Sequence, residues 1–236
     1  MKKKKRYRVK KGKLLLLIMT ILLLISAIVG IISLILFNTS HINLLYVSNN
    51  KYFSDEKIYQ DTKINYDSNY YLLHDIFING DLKNQLYTVN IKRHLNRVVE
   101  IKVNEIMMIG YYQKEDKKYL VDKDLKEYVV DDNNSDVLLY VPMLVNFNED
   151  NLKLYQKISN DNPNIINKIS EVYHHEETYD KQMFKLIMND ANLVFINQKN
   201  AHLVNQYEKI AANLLVRPSC IYFDDDKETA FTIKCQ

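Results

Sequence analysis

The chain of 236 residues has only four glycines, at positions 12, 30, 80 and 110. Loops that cradle phosphate groups need clustered glycines, as in G-x-G-x-x-G or G-x-x-x-x-G-K, and these four lie far apart. Their spacing excludes nucleotide chemistry built on such a loop.

Cysteine is also scarce, since Cys220 and Cys235 are the only two in the chain. An oxidising compartment permits a disulfide between them. However, the segment between them is typical of a hairpin that turns near Asp225 and Asp226, and this turn places Cys235 opposite residue 216. We therefore expect two unpaired cysteines, with the disulfide as the alternative.

Charge is absent from residues 14–37, which read LLLLIMTILLLISAIVGIISLILF. A helix of this length spans about 36 Å, and the hydrocarbon core of a bilayer is about 30 Å thick. A cleaved signal peptide is the alternative, but its apolar region is usually about 7–15 residues long and ends in an A-x-A-like site. The sequence around residues 34–38 offers no such site, so we predict a retained transmembrane helix over 14–37.

The residues before this span form a basic tail over residues 1–13. Because loops rich in Lys and Arg stay cytoplasmic, the tail predicts a single-pass type II protein of the cell membrane, with residues 38–236 outside. A basic cluster also suits nucleic acid, but beside a membrane span it is better explained as an orientation signal and a contact with anionic lipids. The nine orienting residues are Lys2, Lys3, Lys4, Lys5, Arg6, Arg8, Lys10, Lys11 and Lys13.

The part beyond the span is acidic, although the whole chain has a net charge of +3. Without the nine basic residues of the tail, 23 Lys and Arg face 29 Asp and Glu, a net charge of −6. This balance argues against a nucleic-acid partner. About 200 residues are enough for one large domain or two small domains with real cores.

Residues 38–106 show the pattern of a small β-α-α-β-β domain. A strand is predicted over 42–47, a helix over 54–61 and a second helix over 69–86, in which Leu72, Leu73, Ile76 and Phe77 share one face. Two alternating runs then predict a strand pair over 89–94 and 98–105, each with one buried and one wet face.

From residue 107 to the C-terminus the pattern predicts a mainly antiparallel β-domain with helices, so that the chain belongs to the α+β class. The run 165–173 fits neither a helix nor a strand clearly. Strands are predicted over 107–112, 118–121, 128–130, 137–141, 183–188, 193–196, 221–223 and 229–234, and helices over 152–158 and 199–214.

The order of these parts resembles the FtsQ/DivIB family of bacterial cell division proteins. The stretch 89–105, VNIKRHLNRVVEIKVNE, is similar to the strand pair of that family, in which V-x-V-x-R-x-x-P precedes an apolar alternation that ends in Glu. The runs INLLYVSNN at 42–50 and YLVD at 119–122 resemble its first strand and a later short strand. Three positions depart from the pattern: Asn49 replaces Gly, Asn96 replaces Pro, and Leu125 lies near an expected Gly.

The resemblance implies a POTRA domain over 38–106, a β-domain over 107–236 and a non-enzymatic role in cell division and septation. Members of the family hold FtsL and DivIC (or FtsB), both membrane-anchored proteins, at the septum without a cofactor, metal or small-molecule substrate. The last helix and the terminal strand receive the partner, and the alternative for that strand is an internal position that closes the sheet. The corresponding residues are Tyr207, Thr229, Ala230, Phe231, Thr232 and Ile233.

Two other classes of protein share the predicted topology. A membrane-anchored cell-envelope enzyme of the sortase type would use Cys220 as nucleophile with His174 or His175 as base, but Arg217 then precedes the cysteine instead of following it. The run His174-His175-Glu176-Glu177 has metal-ligand residue types without the H-E-x-x-H spacing, so a solvated loop is the better interpretation. A POTRA-bearing assembly factor is the third possibility, although such proteins more often carry several POTRA domains.

Overall fold

The structure, a computed structural model, describes residues 11–36, 40–177, 180–224 and 229–235. Helix α1 (Lys11–Leu36) contains the stretch Gly12–Ser33, which is long and apolar enough to cross a membrane and is not buried. The helix thus begins three residues before the predicted span. Phe37 and seven of the nine predicted orienting residues, Lys2 to Lys5, Arg6, Arg8 and Lys10, lie outside the described residues.

The chain forms two compact units. The described residues of Met1–Asn49, Asp55–Leu82 and Val89–Val103 make up the first, and those of Asn50–Ser54, Lys83–Thr88 and Asn104–Gln236 make up the second. The sequence placed a single boundary near 106 and did not predict that two short segments of the first half belong to the second unit.

The first unit has the β-α-α-β-β order that the sequence predicted. Its sheet has the order β1-β3-β2, with β1 parallel to β3 from the pair Leu44↔Val98 onward. Alternate side chains of β3, among them Val99 and Ile101, are fully buried together with Ile58 of the first short helix. The elements are β1 (Leu44–Ser48), α2 (Asp55–Thr62), α3 (Asp75–Asp81), β2 (Tyr87–His94) and β3 (Val98–Glu105).

The second helix of this unit differs from its prediction over 69–86. Only Asp75–Asp81 is helical, and none of its residues is buried. The helix is held instead by polar side chains: Asp75 Oδ1 accepts a hydrogen bond from Ile91 N at 2.9 Å, and Asn79 Oδ1 accepts one from Val89 N at 2.8 Å. On the predicted apolar face, Leu72, Ile76 and Phe77 are exposed and Leu73 is half-buried.

The three departures from the family pattern all fall at residues with a left-handed backbone. Asn49 (φ 66°) adopts a conformation that suits Gly and that Asn tolerates. Asn96 has φ 60°, which proline cannot adopt, so the turn between β2 and β3 has a different backbone from the one V-x-V-x-R-x-x-P implies. Leu125 (φ 64°) carries a side chain where glycine would be unstrained.

The second unit is built on one nine-stranded sheet with the order β12-β11-β10-β9-β8-β7-β4-β5-β6. Its neighbouring strands are antiparallel except for the pairs β10–β11, β4–β7 and β7–β8. The elements are β4 (Met108–Lys114), β5 (Lys117–Asp122), β6 (Glu127–Val129), β7 (Met143–Val145), α4 (Glu149–Asp161), β8 (Ile169–His175), β9 (Met183–Met188), β10 (Leu193–Ile196), α5 (Tyr207–Ala212), β11 (Ser219–Asp224) and β12 (Thr229–Lys234).

The core of this unit lies between one face of the sheet and α4. Asn148 caps this helix by accepting a hydrogen bond from Asn151 N at 2.8 Å, and Tyr155 packs on Phe184 of β9 with ring centroids 5.7 Å apart. At the start of the unit, the Glu105 carboxylate accepts hydrogen bonds from the backbone N–H groups of residues 51, 52 and 53 at 2.9, 3.0 and 3.3 Å. Glu105, the last residue of β3, thus fixes the turn that precedes α2.

Two predictions in this unit were wrong. The run 137–141 was predicted as a strand, but Ser135–Leu139 is a 3-10 helix, and the strand follows as β7. The helix predicted over 199–214 is divided into a 3-10 helix, Ala201–Gln206, and α5. The ambiguous run 165–173 contains a short 3-10 helix and most of β8.

Candidate functional site

The terminal strand β12 lies at one edge of the nine-stranded sheet. It pairs with β11 along its whole length, from Asp224↔Thr229 to Ser219↔Lys234. The alternative prediction, an internal strand that closes the sheet, is therefore wrong. Phe231 and Ile233 lie on one face of this strand and are 54% and 53% exposed.

The outer side of β12 differs from the other sheet edges. The edge of β2 is covered, because Asp75 and Asn79 bond its backbone. The edge strand β6 has three residues, and Asn134 Nδ2 donates to the Val129 carbonyl at 2.9 Å. At the edge of β1, Tyr59 Oη donates to the Leu45 carbonyl at 3.4 Å. Within the described residues, neither a strand nor a side chain bonds the outer backbone of β12, which leaves a six-residue edge open to another chain.

A row of stacked rings supports this edge from within the sheet. Phe195 of β10 stacks on Tyr222 of β11 with centroids 4.4 Å apart, and Tyr222 stacks on Phe231 with centroids 5.2 Å apart. A cleft of about 990 Å³ opens beside these rings, with Asp180 and Asp224 among its polar lining residues. A strand added to β12 would find an aromatic surface on one face.

The two cysteines are joined in a disulfide, contrary to our expectation. The Cα atoms of Cys220 and Cys235 lie 5.2 Å apart. The hairpin register pairs Cys220 with Ile233, two residues away from the register we expected, so that Cys235 becomes the diagonal neighbour of Cys220 on the same face. The predicted turn residues Asp225 and Asp226 lie outside the described residues.

The disulfide removes the nucleophile of the sortase-type alternative, because a bonded sulfur has no thiolate to attack a substrate. The two histidines at the end of β8 have local partners: His174 Nε2 lies 3.1 Å from the Lys181 carbonyl, and His175 Nε2 lies 2.9 Å from Glu177 Oε1. In the described ranges there is no group of three or more His, Cys, Asp or Glu side chains that would suit a metal ion.

Tyr207 is only 5% exposed, so its side chain is not available on the surface as the resemblance implied. Its hydroxyl donates a hydrogen bond to Asp190 and accepts one from Asn192 Nδ2 at 3.0 Å. Burial, together with the bond to the carboxylate of Asp190, raises the pKa of Tyr207 above 10.0. Asn192 Oδ1 in turn accepts a hydrogen bond from Ser219 N at 2.9 Å. This cluster therefore fixes the start of β11, the strand with which β12 pairs.

Sequence reasoning missed Asp190 and Asn192, which lie between the strands predicted over 183–188 and 193–196. Asn192 is fully buried and bonded on both ends of its amide. The turn composition N-D-A-N signals a loop, but no local pattern shows that its last residue reaches β11.

No family model and no curated protein match the chain. Among solved structures, the chain is similar to the major extracytoplasmic domain of the trans isomer of the bacterial cell division protein DivIB from Geobacillus stearothermophilus. The match has a sequence identity of 14% and a TM-score of 0.36, and it covers 47% of this chain and 95% of that domain.

Proposed function

We propose that the chain is a non-enzymatic scaffold of the bacterial division machinery, which captures FtsL-like and DivIC-like bitopic proteins by adding one of their strands to β12. The observation that carries the proposal is the open outer backbone of β12, since the edges of β1, β2 and β6 each have a side-chain contact to their backbone. An exposed edge presents unpaired N–H and C=O groups that an added strand satisfies.

The side chains of β12 suit this mode of binding. In strand addition, main-chain bonds supply affinity and alternate side chains supply specificity. Phe231 and Ile233 offer apolar contact on one face, next to the ring of Tyr222. Ala230 and Thr232 are small and lie on the other face, so they do not obstruct a second strand.

Two further features support the topology and the setting. Helix α1 serves as the membrane anchor in this proposal, with the basic tail in the cytoplasm and residues 38–236 outside. The first unit has the β-α-α-β-β order of a POTRA domain and includes most of the stretch 89–105 that resembles the family.

The partner edge is tested by charging the apolar side chains of β12 in the full chain. Phe231→Lys/Ile233→Lys is expected to abolish co-purification of the FtsL-like and DivIC-like proteins. The matched control is Val129→Lys/Leu139→Lys, which changes one residue of the opposite edge strand β6 and one of the 3-10 helix that follows it, 52% and 81% exposed. Equal capture by both double variants would reject β12 as the binding edge.

The division role is tested by imaging a fluorescent fusion of the full chain in growing cells. We expect a band at the septum, which the Phe231→Lys/Ile233→Lys variant weakens. Even staining of the cell periphery contradicts a role in septation. Protease treatment of intact protoplasts checks the topology, because the proposal requires residues 38–236 to be cleaved from outside.

A further inference from the structure

An exposed apolar patch lies on the first unit, where helix α3 turns its apolar side chains away from the sheet. Ile76 and Phe77 are 79% and 74% exposed, and Leu72 just before the helix is exposed as well. The polar side chains of Asp75 and Asn79 fasten the helix to the edge of β2. Apart from the contact of the Phe77 ring with the ring of His74, whose centroids lie 6.2 Å apart, the apolar side chains of Ile76 and Phe77 are turned to the surface.

The patch continues to the end of the unit at which the chain arrives from α1. The Ser40 carbonyl accepts a hydrogen bond from Tyr70 N at 2.8 Å, and Ile42 N donates to the Tyr66 carbonyl at 3.0 Å. Tyr70 Oη donates to the His94 carbonyl at 2.8 Å, which brings the turn after β2 to the same end. Leu95 in that turn is 89% exposed.

Two tyrosines and one arginine complete this end of the unit. Tyr66 and Tyr71 are exposed, and Arg93 Nη1 donates to the Tyr71 carbonyl at 3.3 Å from an exposed position on β2. We define the exit patch as Tyr66, Tyr71, Leu72, Ile76, Phe77 and Leu95. Aromatic rings with a polar tip, apolar side chains and a neighbouring cation are the composition of protein surfaces at the membrane–water interface.

The length of chain between α1 and the exit patch indicates which surface covers the patch. From Leu36 to Ser40 the chain reaches at most roughly 14 Å, even when fully extended. If α1 crosses the bilayer, this short connection keeps the exit patch close to the headgroup layer, which is about 5–8 Å thick on each side of the bilayer. A tether this short makes lipid the surface that the patch meets first.

We propose that the exit patch rests on the outer leaflet of the membrane, with its apolar side chains inserted at the boundary between headgroups and acyl chains. This inference rests on the membrane anchor of the proposed function. It assigns to the first unit a lipid-binding surface, and it makes the orientation of that unit depend on the patch as well as on the helix.

The absence of tryptophan from the chain provides a direct test. Single tryptophans are placed in the full chain, which is reconstituted alone in liposomes whose phospholipids are brominated either just below the headgroup, to report on the patch, or near the middle of the acyl chain, to report on α1. Phe77→Trp and Leu95→Trp report on the patch, and Leu23→Trp reports on α1. The matched control is Tyr46→Trp, an exposed position of the same unit on the face of β1 opposite the buried Leu45.

We expect brominated lipid to lower the fluorescence at positions 77 and 95 roughly twofold and to leave that at position 46 nearly unchanged. In the Phe77→Trp background, Leu72→Glu/Ile76→Glu should abolish the quenching, because charged side chains do not enter the apolar boundary.

The readouts separate the inference from the proposed function. Quenching at 23 without quenching at 77 and 95 overturns the patch contact and leaves the anchor standing. No quenching at 23 overturns both. Equal quenching at 46 and 77 also overturns the inference, since the contact is then not specific to the patch. A shift of the emission maximum at position 77 that depends on the protein-to-lipid ratio, without quenching, overturns the inference as well. It assigns the patch to contacts between copies of the chain instead of lipid.

Discussion

The Cys220–Cys235 disulfide is predicted to hold the open edge strand β12 in place. This strand bonds the sheet on one side only, and most of its side chains are exposed. The disulfide ties the residue after its last position to β11. Reduction of the wild-type chain, or the double variant Cys220→Ala/Cys235→Ala, removes that tie.

The two perturbations have different expected magnitudes. The bond closes a loop with a sequence separation of 15. Loop-closure entropy then assigns it about 3 kcal/mol of unfolding free energy. Cys220 is also buried beside Met183 and Phe195, so alanine at this position removes a buried sulfur worth about 1 kcal/mol. Reduction should therefore cost about 3 kcal/mol, and the double variant about 4 kcal/mol.

Hydrogen exchange of the full chain in detergent measures where this free energy acts. Because the disulfide anchors the C-terminal end of β12 to β11, reduction is expected to accelerate amide exchange in residues 229–234 by up to roughly a hundredfold. The antiparallel pair β8–β9, which lies inside the sheet, should keep its protection. If the proposed function holds, capture of FtsL-like and DivIC-like proteins should weaken in parallel. The double variant treated with the same reductant serves as the control and should show no further change.

Unchanged exchange in residues 229–234, after titration has shown two free thiols, would refute this reasoning. It would mean that the ladder between β11 and β12 and the stack of Tyr222 on Phe231 are sufficient to hold the strand. A uniform loss of protection across the whole sheet would contradict the prediction in another way, since the bond would then stabilise the entire unit and not its edge.

Three further predictions concern single side chains of the second unit in the full chain. Leu125→Gly should change the free energy of unfolding, measured with urea, by less than about 0.5 kcal/mol, because relief of the strain in the left-handed backbone of Leu125 offsets the greater flexibility of glycine. A destabilisation of about 1 kcal/mol would show that the backbone at Leu125 is not strained. Tyr155→Phe should stabilise the chain by about 1 kcal/mol in the same assay, since the buried Tyr155 hydroxyl has no hydrogen-bond partner in the described residues. Destabilisation would show that the hydroxyl is satisfied. Burial raises the pKa of Glu105, although the backbone N–H groups that it accepts from oppose this, so the folded chain binds a proton at higher pH than the unfolded chain. The free energy of unfolding should therefore fall as the pH rises through the folded pKa of Glu105. Glu105→Gln should remove this dependence of the urea midpoint on pH, and an unaltered dependence would assign it to another group.

The sequence was informative wherever a single physical signal dominated. The uncharged run 14–37 predicted α1 to within three residues at its start, because an uncharged apolar run of this length favours one continuous helix. The alternation over 98–105 predicted β3 with its correct bounds, because one face of that strand is fully buried. The run 137–141 failed, since a short apolar stretch fits a strand as well as a buried turn, and only Val137 of the 3-10 helix is buried.

The candidate site was predictable in part. The terminal strand was placed within 229–234, and its bounds are those of β12. Its edge position was not derivable from alternation, because a strand with one neighbour and a strand with two share the same period. The disulfide was missed because a shift of two residues in the hairpin register decides whether Cys220 and Cys235 meet, and the turn composition does not fix that register. The role of Tyr207 came from the resemblance alone, and the side chain is buried in a polar cluster that only the fold brings together.

The contrast between the edges of the two sheets argues that the open side of β12 is retained for use. Long exposed edges promote unwanted pairing, and proteins usually cover, shorten or charge them. This chain does so at β2 with Asp75 and Asn79, and at β6 with Asn134 and a length of three residues. At β12, as far as the described residues show, it does the opposite, since a disulfide fixes the six-residue strand and apolar side chains lie beside outer backbone groups without a partner. A strand that is held firmly and left uncovered is preorganised for a partner, because its ordering takes place during folding and adds no entropic cost to binding.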